Sequence, residues 1–236
     1  MKINGATAFV TGANRGLGRA FAQHLLERGA AKVYAAARRP ETVDLPGVEP
    51  IQVDITDPEQ VRRAAATAGD VTLLVNNAGI NTSQDLVEGD LDKIRLDLET
   101  LLFGSLGMVR AFAPVLGANG GGAIVNVLSA ISWFGAKGAN SYHVAKAAQW
   151  AMTNGVRLEL ADQGTLVTGV HLGLADTDMA SGYEGDKLPP ALVARTVLDG
   201  VEDDRWEVLV DDWSRMVKAS LASDPRPFYE SLQTPA

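Results

Sequence analysis

The sequence contains no cysteine. Disulfide bonds, thiolate catalysis and cysteine-ligated zinc sites are therefore excluded. It also lacks the basic start, apolar run and small-residue cleavage site of a signal peptide, because a strand-like run begins already at Ala6. No continuous apolar run approaches the roughly 20 residues that span a bilayer. From these absences we expect a cytoplasmic protein with no membrane partner.

Positive charge is also scarce. The 236 residues include 21 Lys and Arg against 29 Asp and Glu, which gives a formal net charge of −8. An acidic surface repels phosphate backbones, and this argues against a nucleic-acid partner. Any site for an anionic ligand must therefore be built locally, against the overall field of the protein.

Repeats, low-complexity stretches and Pro/Gly/Ser-rich linkers are missing as well. Short apolar runs typical of strands alternate instead with longer runs typical of helices, which predicts a parallel sheet covered on both faces. We therefore predict an α/β fold: a doubly wound, Rossmann-type, seven-stranded parallel sheet in one domain over residues 1–236, with ligands beyond the carboxyl ends of the strands. Strands are predicted at 6–10, 32–36, 49–53, 71–75, 122–128, 166–171 and 207–210, and helices at 16–28, 58–68, 91–116, 141–161, 190–201 and 212–222.

Two segments interrupt this alternation. Residues 181–190 are polar and hold two glycines and two prolines after a predicted strand end. We predict that 179–190 form a mobile substrate loop over the site, with an ordinary surface connection as the alternative. The tail at 223–236 holds three prolines and is predicted to be irregular.

A glycine-rich turn follows the first predicted strand, at residues 11–18. In a strand-to-helix turn, one glycine permits the tight bend, one lets the backbone approach a pyrophosphate, and one allows close helix–strand packing. The helix N-terminus then offers free N–H groups to the phosphates. A structural turn without a ligand is the alternative. The cofactor-binding residues predicted here are Gly12, Asn14, Arg15, Gly16, Leu17 and Gly18.

The end of the second predicted strand selects between the two nicotinamide cofactors. An acidic residue there would bind the ribose 2′-hydroxyl of NAD(H), whereas cationic residues would bind the 2′-phosphate of NADP(H). The strand end carries no acidic residue, and Arg38 and Arg39 follow it directly. Because arginine binds phosphate with charge-assisted hydrogen bonds, we predict NADP(H), held first by Arg38 and then by Arg15. Arg39 is expected to point to solvent.

Tyr142 and Lys146 lie four residues apart near the start of a predicted helix, so their side chains share one face. A tyrosine phenol has a pKa of about 10. A nearby cation favours the phenolate, and we expect Lys146 to lower the pKa of Tyr142. Ser129 ends a predicted central strand and can hydrogen-bond a substrate oxygen. These three residues are the predicted catalytic group.

Taken in order along the chain, these motifs closely resemble those of the short-chain dehydrogenase/reductase family. They are Thr-Gly-x-x-x-Gly-x-Gly at 11–18, Asp54 after the third strand, Asn-Asn-Ala-Gly at 76–79, Ser129, and Tyr-x-x-x-Lys at 142–146. The resemblance implies that Tyr142 exchanges the proton, that Lys146 binds the nicotinamide ribose, and that Ser129 positions the substrate oxygen. It also implies cofactor contacts from Asp54, Ile55, Asn77, Ala78, Gly79, Tyr142, Lys146, Gly173 and Thr177.

The sequence departs from the family pattern at two places. Leu101 stands where the family usually carries an asparagine that helps to hold a proton-relay water. Leucine offers no side-chain hydrogen bond, so either backbone groups hold that water or the relay is impaired. Leu172-Gly173 replaces the usual Pro-Gly, which alters the stiffness of that turn more than the chemistry.

The expected substrate pocket is apolar. Trp133 and Phe134 follow Ser129 and should face the nicotinamide side of the cleft, with Met179 and Tyr183 opposite; core packing of the two aromatic residues is the alternative. Such a pocket suits a small hydrophobic ketone, aldehyde or secondary alcohol, and we predict no metal site.

Three functions compete. The first is an NADP(H)-dependent carbonyl reductase. The second is an NADP(H)-binding redox sensor of the same fold with little turnover, which Leu101 favours and the intact catalytic group opposes. The third is a sugar epimerase or dehydratase, which usually needs a longer C-terminal region than the one after Thr177. By family analogy, we expect a homodimer or homotetramer formed through helices 91–116 and 141–161.

Overall fold

The computed structural model describes residues 1–232; positions 233–236, the end of the predicted irregular tail, lie outside the described residues. All seven predicted strands are confirmed, with the largest shift at the start of β4, predicted at residue 71 and found at Leu73. As predicted, the strands form one parallel sheet; their order is β3-β2-β1-β4-β5-β6-β7. They are β1 (Thr7–Thr11), β2 (Lys32–Ala37), β3 (Glu49–Gln52), β4 (Leu73–Asn76), β5 (Ala123–Val127), β6 (Leu166–His171) and β7 (Glu207–Leu209).

Helices cover both faces of the sheet, which explains why the central strands are apolar on both sides. They are α1 (Gly16–Glu27), α2 (Pro58–Thr67), α3 (Leu91–Leu98), α4 (Ser105–Ala118), α5 (Asn140–Glu159), α6 (Pro190–Glu202), α7 (Asp212–Ser220) and α8 (Pro225–Ser231). One core cluster joins Phe21 of α1 and Val197 of α6 to the sheet. The second joins Phe112 of α4 and Val156 of α5 to the other face. Burying each such side chain stabilises the fold by about 1.5–3 kcal/mol.

The predicted helix at 91–116 is interrupted. A π-helical turn at Glu99–Gly104 separates α3 from α4. Such turns insert a wider hydrogen-bond spacing into an α-helix and often lie at functional sites. The turn carries Leu101, which is fully buried.

By length and apolar composition alone, the stretch Leu91–Ala118 could cross a membrane, although charged residues interrupt it and it holds no continuous apolar run of about 20 residues. Its residues Met108, Phe112 and Leu116 are fully buried in the core cluster on one face of the sheet. Core helices of this kind meet the same length and composition criteria as membrane spans, so the stretch is weak support for a membrane role.

The tail is not irregular where it is described. Residues Pro225–Ser231 form α8, and the carboxylate of Asp224 accepts a hydrogen bond from the N–H of Arg226 at 2.9 Å. Proline is well tolerated in the first turn of a helix, where its missing N–H would have no partner within the helix. The prolines of this segment therefore mark a helix start, and the prediction of an irregular tail is wrong for these residues.

Candidate active site

A cleft of about 1320 Å³ opens at the carboxyl ends of the strands, around the point between β1 and β4 where the strand order reverses. This is the position at which open parallel sheets bind their ligands. The cleft brings together residues that lie far apart in the sequence. The predicted site residues that line it are Gly12, Asn14, Arg15, Gly16, Leu17, Arg38, Asp54, Ile55, Asn77, Ala78, Gly79, Ser129, Tyr142, Lys146, Gly173, Thr177, Met179 and Tyr183.

The glycine turn between β1 and α1 has the close approaches that its sequence predicts. Gly12 and Gly16 have φ values of +65° and +54°, in the left-handed region that favours glycine. Gly18 does not line the cleft, and its role is packing. A Cβ atom at Gly18 would lie 2.1 Å from the carbonyl oxygen of Gly12 and 2.6 Å from Nδ2 of Asn77.

The segment after β4 holds this turn in place. The hydroxyl of Thr11 accepts hydrogen bonds from the N–H groups of Asn77 at 2.9 Å and Ala78 at 3.0 Å. The Asn77 side chain donates to the Thr11 carbonyl oxygen at 2.9 Å. Because polar groups of the turn are satisfied by this neighbouring segment, the backbone is preorganised around the cleft.

The N-terminus of α1 is built for an anion. No side chain caps it and its first turn carries no acidic residue, so its first N–H groups remain free of side-chain partners. Arg38 is exposed at the cleft, and within residues 1–232 its guanidinium makes no ion pair. Three features of this end of the cleft fit the phosphates of a dinucleotide. They are the free N–H groups of α1, the Arg38 guanidinium, and a glycine backbone that has no Cβ atoms to block a close approach.

Arg15 is engaged differently. Its guanidinium lies 2.5 Å from the carboxylate of Asp178, and both side chains are about 70% exposed (69% and 72%). The pair bridges the glycine turn and the segment after β6, across the mouth of the cleft. To bind the 2′-phosphate, as the sequence predicts for it, Arg15 would have to exchange its ion pair with Asp178 for one with the phosphate.

The predicted catalytic residues meet at the inner end of the cleft. Tyr142 and Lys146 project from α5, and the Lys146 Nζ atom lies 5.8 Å from the Tyr142 ring centre. Ser129 follows β5, and its hydroxyl donates a hydrogen bond to the carbonyl oxygen of Leu172 at 3.1 Å. Behind it, the buried His171 ring lies 3.0 Å from the carbonyl oxygen of Ser129 through Nδ1 and fixes that backbone. Burial lowers the pKa of His171 to about 4, so this ring is neutral at neutral pH.

The electrostatics of Tyr142 differ from the expectation. Burial raises the pKa of the Tyr142 phenol above its usual value, and the nearby Asp97 and Tyr183 raise it further. Burial also lowers the pKa of Lys146 to about 7. The desolvation of both groups therefore outweighs the lowering that the lysine was expected to cause. A phenol that stays protonated at neutral pH is suited to donate a proton.

Trp133 and Phe134 do not line the cleft, which corrects the expectation that both face the nicotinamide side. Trp133 stacks on His171 with ring centres 3.8 Å apart. Phe134 packs edge-on against Trp213 and Phe228. Aromatic side chains bury large apolar areas, and α7 and α8 supply that burial here. Both residues are half-buried and pack against other aromatic rings outside the two core clusters, so they follow neither the cleft-facing expectation nor, in full, the alternative of core packing.

Sequence reasoning missed several residues of the site. Trp213, on α7, lines the cleft together with Met179 and Tyr183, the residues predicted to contact the substrate. No local motif marks it, because only the return of the chain to the sheet edge brings it there. Gln149, three residues after Lys146, accepts a hydrogen bond from the Lys146 ammonium at 3.0 Å. Its i,i+3 spacing from Lys146 was a signal that could have been used.

Comparison with known proteins gives consistent matches. Residues 6–187 match the sequence profile of the family described as short chain dehydrogenase. An uncharacterized oxidoreductase of Staphylococcus aureus strain MW2 is 30% identical over 205 residues, 81% of this chain and 88% of the relative. The 3-oxoacyl-[acyl-carrier-protein] reductase of Vibrio harveyi is 30% identical over 196 residues, 79% of this chain and 80% of the relative.

A solved structure is more similar still. The crystal structure of a short chain dehydrogenase from Burkholderia cenocepacia J2315, in complex with NADP, is 41% identical and covers 100% of both chains with a TM-score of 0.94. A short-chain dehydrogenase from Streptomyces avermitilis is 25% identical, covers 97% of this chain and 98% of its own, and has a TM-score of 0.82.

Proposed function

This chain belongs to the short-chain dehydrogenase family, and we propose that it is an NADP(H)-dependent carbonyl reductase, or alcohol dehydrogenase in the reverse direction. One observation carries the proposal. The Tyr142 and Lys146 side chains line the same continuous cleft as the glycine turn and Arg38. A proton donor and a dinucleotide-binding surface therefore open into one space. When bound, the reduced nicotinamide supplies the hydride that a carbonyl carbon accepts.

The residues of the chain supply the remaining requirements of carbonyl reduction. In the proposed reaction, Ser129 orients the substrate oxygen, and the half-buried Tyr142 phenol donates the proton to that oxygen. Lys146 places a positive charge beside the phenolate that forms. Such positioned acid catalysis contributes about 10²–10⁴-fold to the rate.

The substrate end of the cleft favours small hydrophobic carbonyl compounds or the matching secondary alcohols. Met179, Tyr183 and Trp213 provide its apolar surface, and all three are partly exposed in the cleft. A mainly apolar pocket with a few polar groups is typical of small-molecule sites. Glu184 and Asp186 also line this end, and their negative charge disfavours carboxylate or phosphate substrates.

The proposal is tested by following NADPH absorbance with a panel of hydrophobic ketones and aldehydes, and by determining the chirality of any product. We expect NADPH oxidation with at least one member of the panel. Tight NADPH binding without reduction of any carbonyl compound would contradict the enzyme proposal and support the redox-sensing alternative instead.

Preference for NADP(H) is proposed from Arg38, from the absence of an acid at the end of β2, and from the NADP complex of the similar Burkholderia protein. Substituting Arg38→Ala removes the unpaired guanidinium at the cleft. We expect KM for NADPH to rise about tenfold or more, because charge-assisted hydrogen bonds contribute about 1.5–3 kcal/mol, while KM for NADH stays the same. Arg39 also lines the cleft. The matched control is therefore Arg63→Ala, at an exposed arginine of α2 outside the cleft, which should leave both KM values within about twofold, as expected of surface changes. An equal effect of Arg38→Ala on both cofactors would contradict the assignment.

We further propose that residues 1–236 act as one dinucleotide-binding and catalytic domain in the cytoplasm. The exposed Phe103 of the π turn, with Val144 and Leu158 of α5, supports a homodimer or homotetramer through these helices. Contiguous exposed apolar patches often mark surfaces through which proteins associate.

A further inference from the structure

Lys146 is held inside the protein by neutral groups alone. The residue is only 5% exposed. Its Nζ atom donates hydrogen bonds to the carbonyl oxygen of Val127 at 2.6 Å and to Oε1 of Gln149 at 3.0 Å. An ammonium ion taken out of water must be hydrogen-bonded to remain charged at an acceptable cost. Of these two acceptors, only that of Gln149 belongs to a side chain that substitution can remove.

The Gln149 amide is itself fixed. Gln149 and Ser105 are each 1% exposed, and the Gln149 Nε2 atom donates to the Ser105 hydroxyl at 2.9 Å. Because an ammonium group has only donors, the amide must turn its oxygen to Lys146 and its NH2 to Ser105. The Gln149 backbone is tied as well, since its carbonyl oxygen accepts a hydrogen bond from Thr153 at 2.7 Å.

Leu101 cannot take this role. It is fully buried in the π turn before α4, and its Cδ2 atom would lie 2.8 Å from a Cβ placed on Gly79. The Leu101 side chain is therefore apolar and packs against Gly79, in the segment that lines the cleft. Ser105 follows directly after the same π turn. The polar contact that the turn lacks at Leu101 is thus provided one helical turn later, through Ser105 and Gln149.

We propose that Gln149 is a positioning residue for Lys146, holding the ammonium at the inner end of the cleft through an amide that Ser105 orients. The proposal rests on the proposed function only for its kinetic consequence, because the hydrogen bonds exist without any substrate.

Other charged groups near Lys146 do not provide this hold. Within residues 1–232, no carboxylate lies within ion-pair distance of its Nζ atom. Titratable side chains on the elements around it are Asp97 of α3, the exposed Glu99 of the π turn, Tyr142 and His143 of α5 and His171 of β6; Tyr183, which acts on Tyr142, also lines the cleft. Asp97 is bonded instead to the hydroxyls of Thr82 at 2.7 Å and Ser141 at 2.5 Å.

The direct test is an NMR titration of lysine side chains in the cofactor-free protein, labelled with ¹³C at lysine Cε, with Lys146→Arg used to assign the signal. Gln149→Leu keeps the volume but removes the acceptor. We expect the pKa of Lys146 to fall by about one unit or more, because the buried ammonium loses an acceptor that favours its charged form. Gln149→Glu should move it in the opposite direction, since a carboxylate favours the cation.

Two further variants keep the test decisive if one protein folds poorly. Ser105→Ala should shift the pKa of Lys146 in the same direction as Gln149→Leu but by less, because the amide loses only its orientation. Thr165→Val is the matched control: it removes a buried hydroxyl that donates to the Gly121 carbonyl oxygen at 2.7 Å, just before the start of β6 and away from the cleft, and it should leave the titration in place. An unmoved Lys146 in both Gln149 variants would overturn the proposal.

The kinetic arm separates positioning from mere packing. Carbonyl reduction needs the Lys146 cation, so its rate falls as pH rises through the pKa of that group. Gln149→Leu should move this decline to lower pH by about one unit, and Gln149→Glu should move it to higher pH. A uniform loss of rate at every pH, with the decline unshifted, would also overturn the proposal. Absence of turnover in the wild type would refute the proposed function and leave the NMR result to stand by itself.

Discussion

Substituting Tyr142→Phe is expected to lower kcat for carbonyl reduction by about 10²–10⁴-fold, the contribution of a positioned general acid. The hydroxyl makes no hydrogen bond to residues 1–232 of the chain, so its removal leaves no buried partner unsatisfied. The free energy of unfolding and the Kd for NADPH should therefore stay near the wild-type values. Steady-state NADPH oxidation and a calorimetric NADPH titration measure the two effects separately.

Tyr34→Phe is the control for Tyr142→Phe. The Tyr34 phenol is bonded to Asp70 at 3.0 Å and to Lys32 at 3.2 Å, and it does not line the cleft. Its loss should reduce stability modestly while leaving turnover per folded molecule unchanged. If Tyr142→Phe retained wild-type turnover, Tyr142 would not be the acid.

The second large effect is expected at the glycine turn. In Gly18→Ala the added Cβ would lie 2.1 Å from the Gly12 carbonyl oxygen, and no flexible side chain can yield there because the contact is with backbone. The turn must shift, and a displacement of about 1 Å can cost about 10²-fold in catalysis. We expect kcat/KM to fall by about that factor and the free energy of unfolding to fall by about 1–3 kcal/mol, as in other overpacked sites.

Gly69→Ala provides the comparison for this substitution. Gly69 lies in the exposed turn after α2, its φ is not in the left-handed region, and a Cβ there would meet nothing within 4 Å. This change should be neutral or stabilising by up to about 1 kcal/mol. Denaturant unfolding and steady-state kinetics on both variants give the contrast. Wild-type kinetics in Gly18→Ala would show that the close approach is not needed.

Much of the fold was predictable because it depends on local patterns. Apolar strands followed by helices specify a doubly wound parallel sheet, and glycines at 12, 16 and 18 specify the strand-to-helix turn. These signals are read within a few residues of one another. The π turn at Glu99–Gly104 was not predicted, since the 3.6-residue pattern of apolar positions continues across it and periodicity does not distinguish the hydrogen-bond spacing.

The site was less predictable where it depends on tertiary contacts. The raised pKa of Tyr142 follows from burial and from Asp97, which reaches the start of α5 from another helix. Likewise, the packing of Phe134 requires Trp213 of α7 and Phe228 of α8, which follow it in the sequence by 79 and 94 residues. By contrast, Ser129, Tyr142 and Lys146 meet in one cleft because they stand at the ends of elements whose order the strand pattern determines.

The two ends of the cleft come from different stretches of the chain, and this has a consequence for laboratory evolution. Most of the dinucleotide end is contributed by residues before Asn81, whereas Met179, Tyr183 and Trp213 form the other end much later. Random libraries confined to 179–190 and to α7 would therefore explore substrate scope without altering the phosphate turn or Arg38. In a chimera with a relative, joined between Asn81 and Ser129, we expect cofactor preference to follow the N-terminal part and substrate preference to follow the C-terminal part.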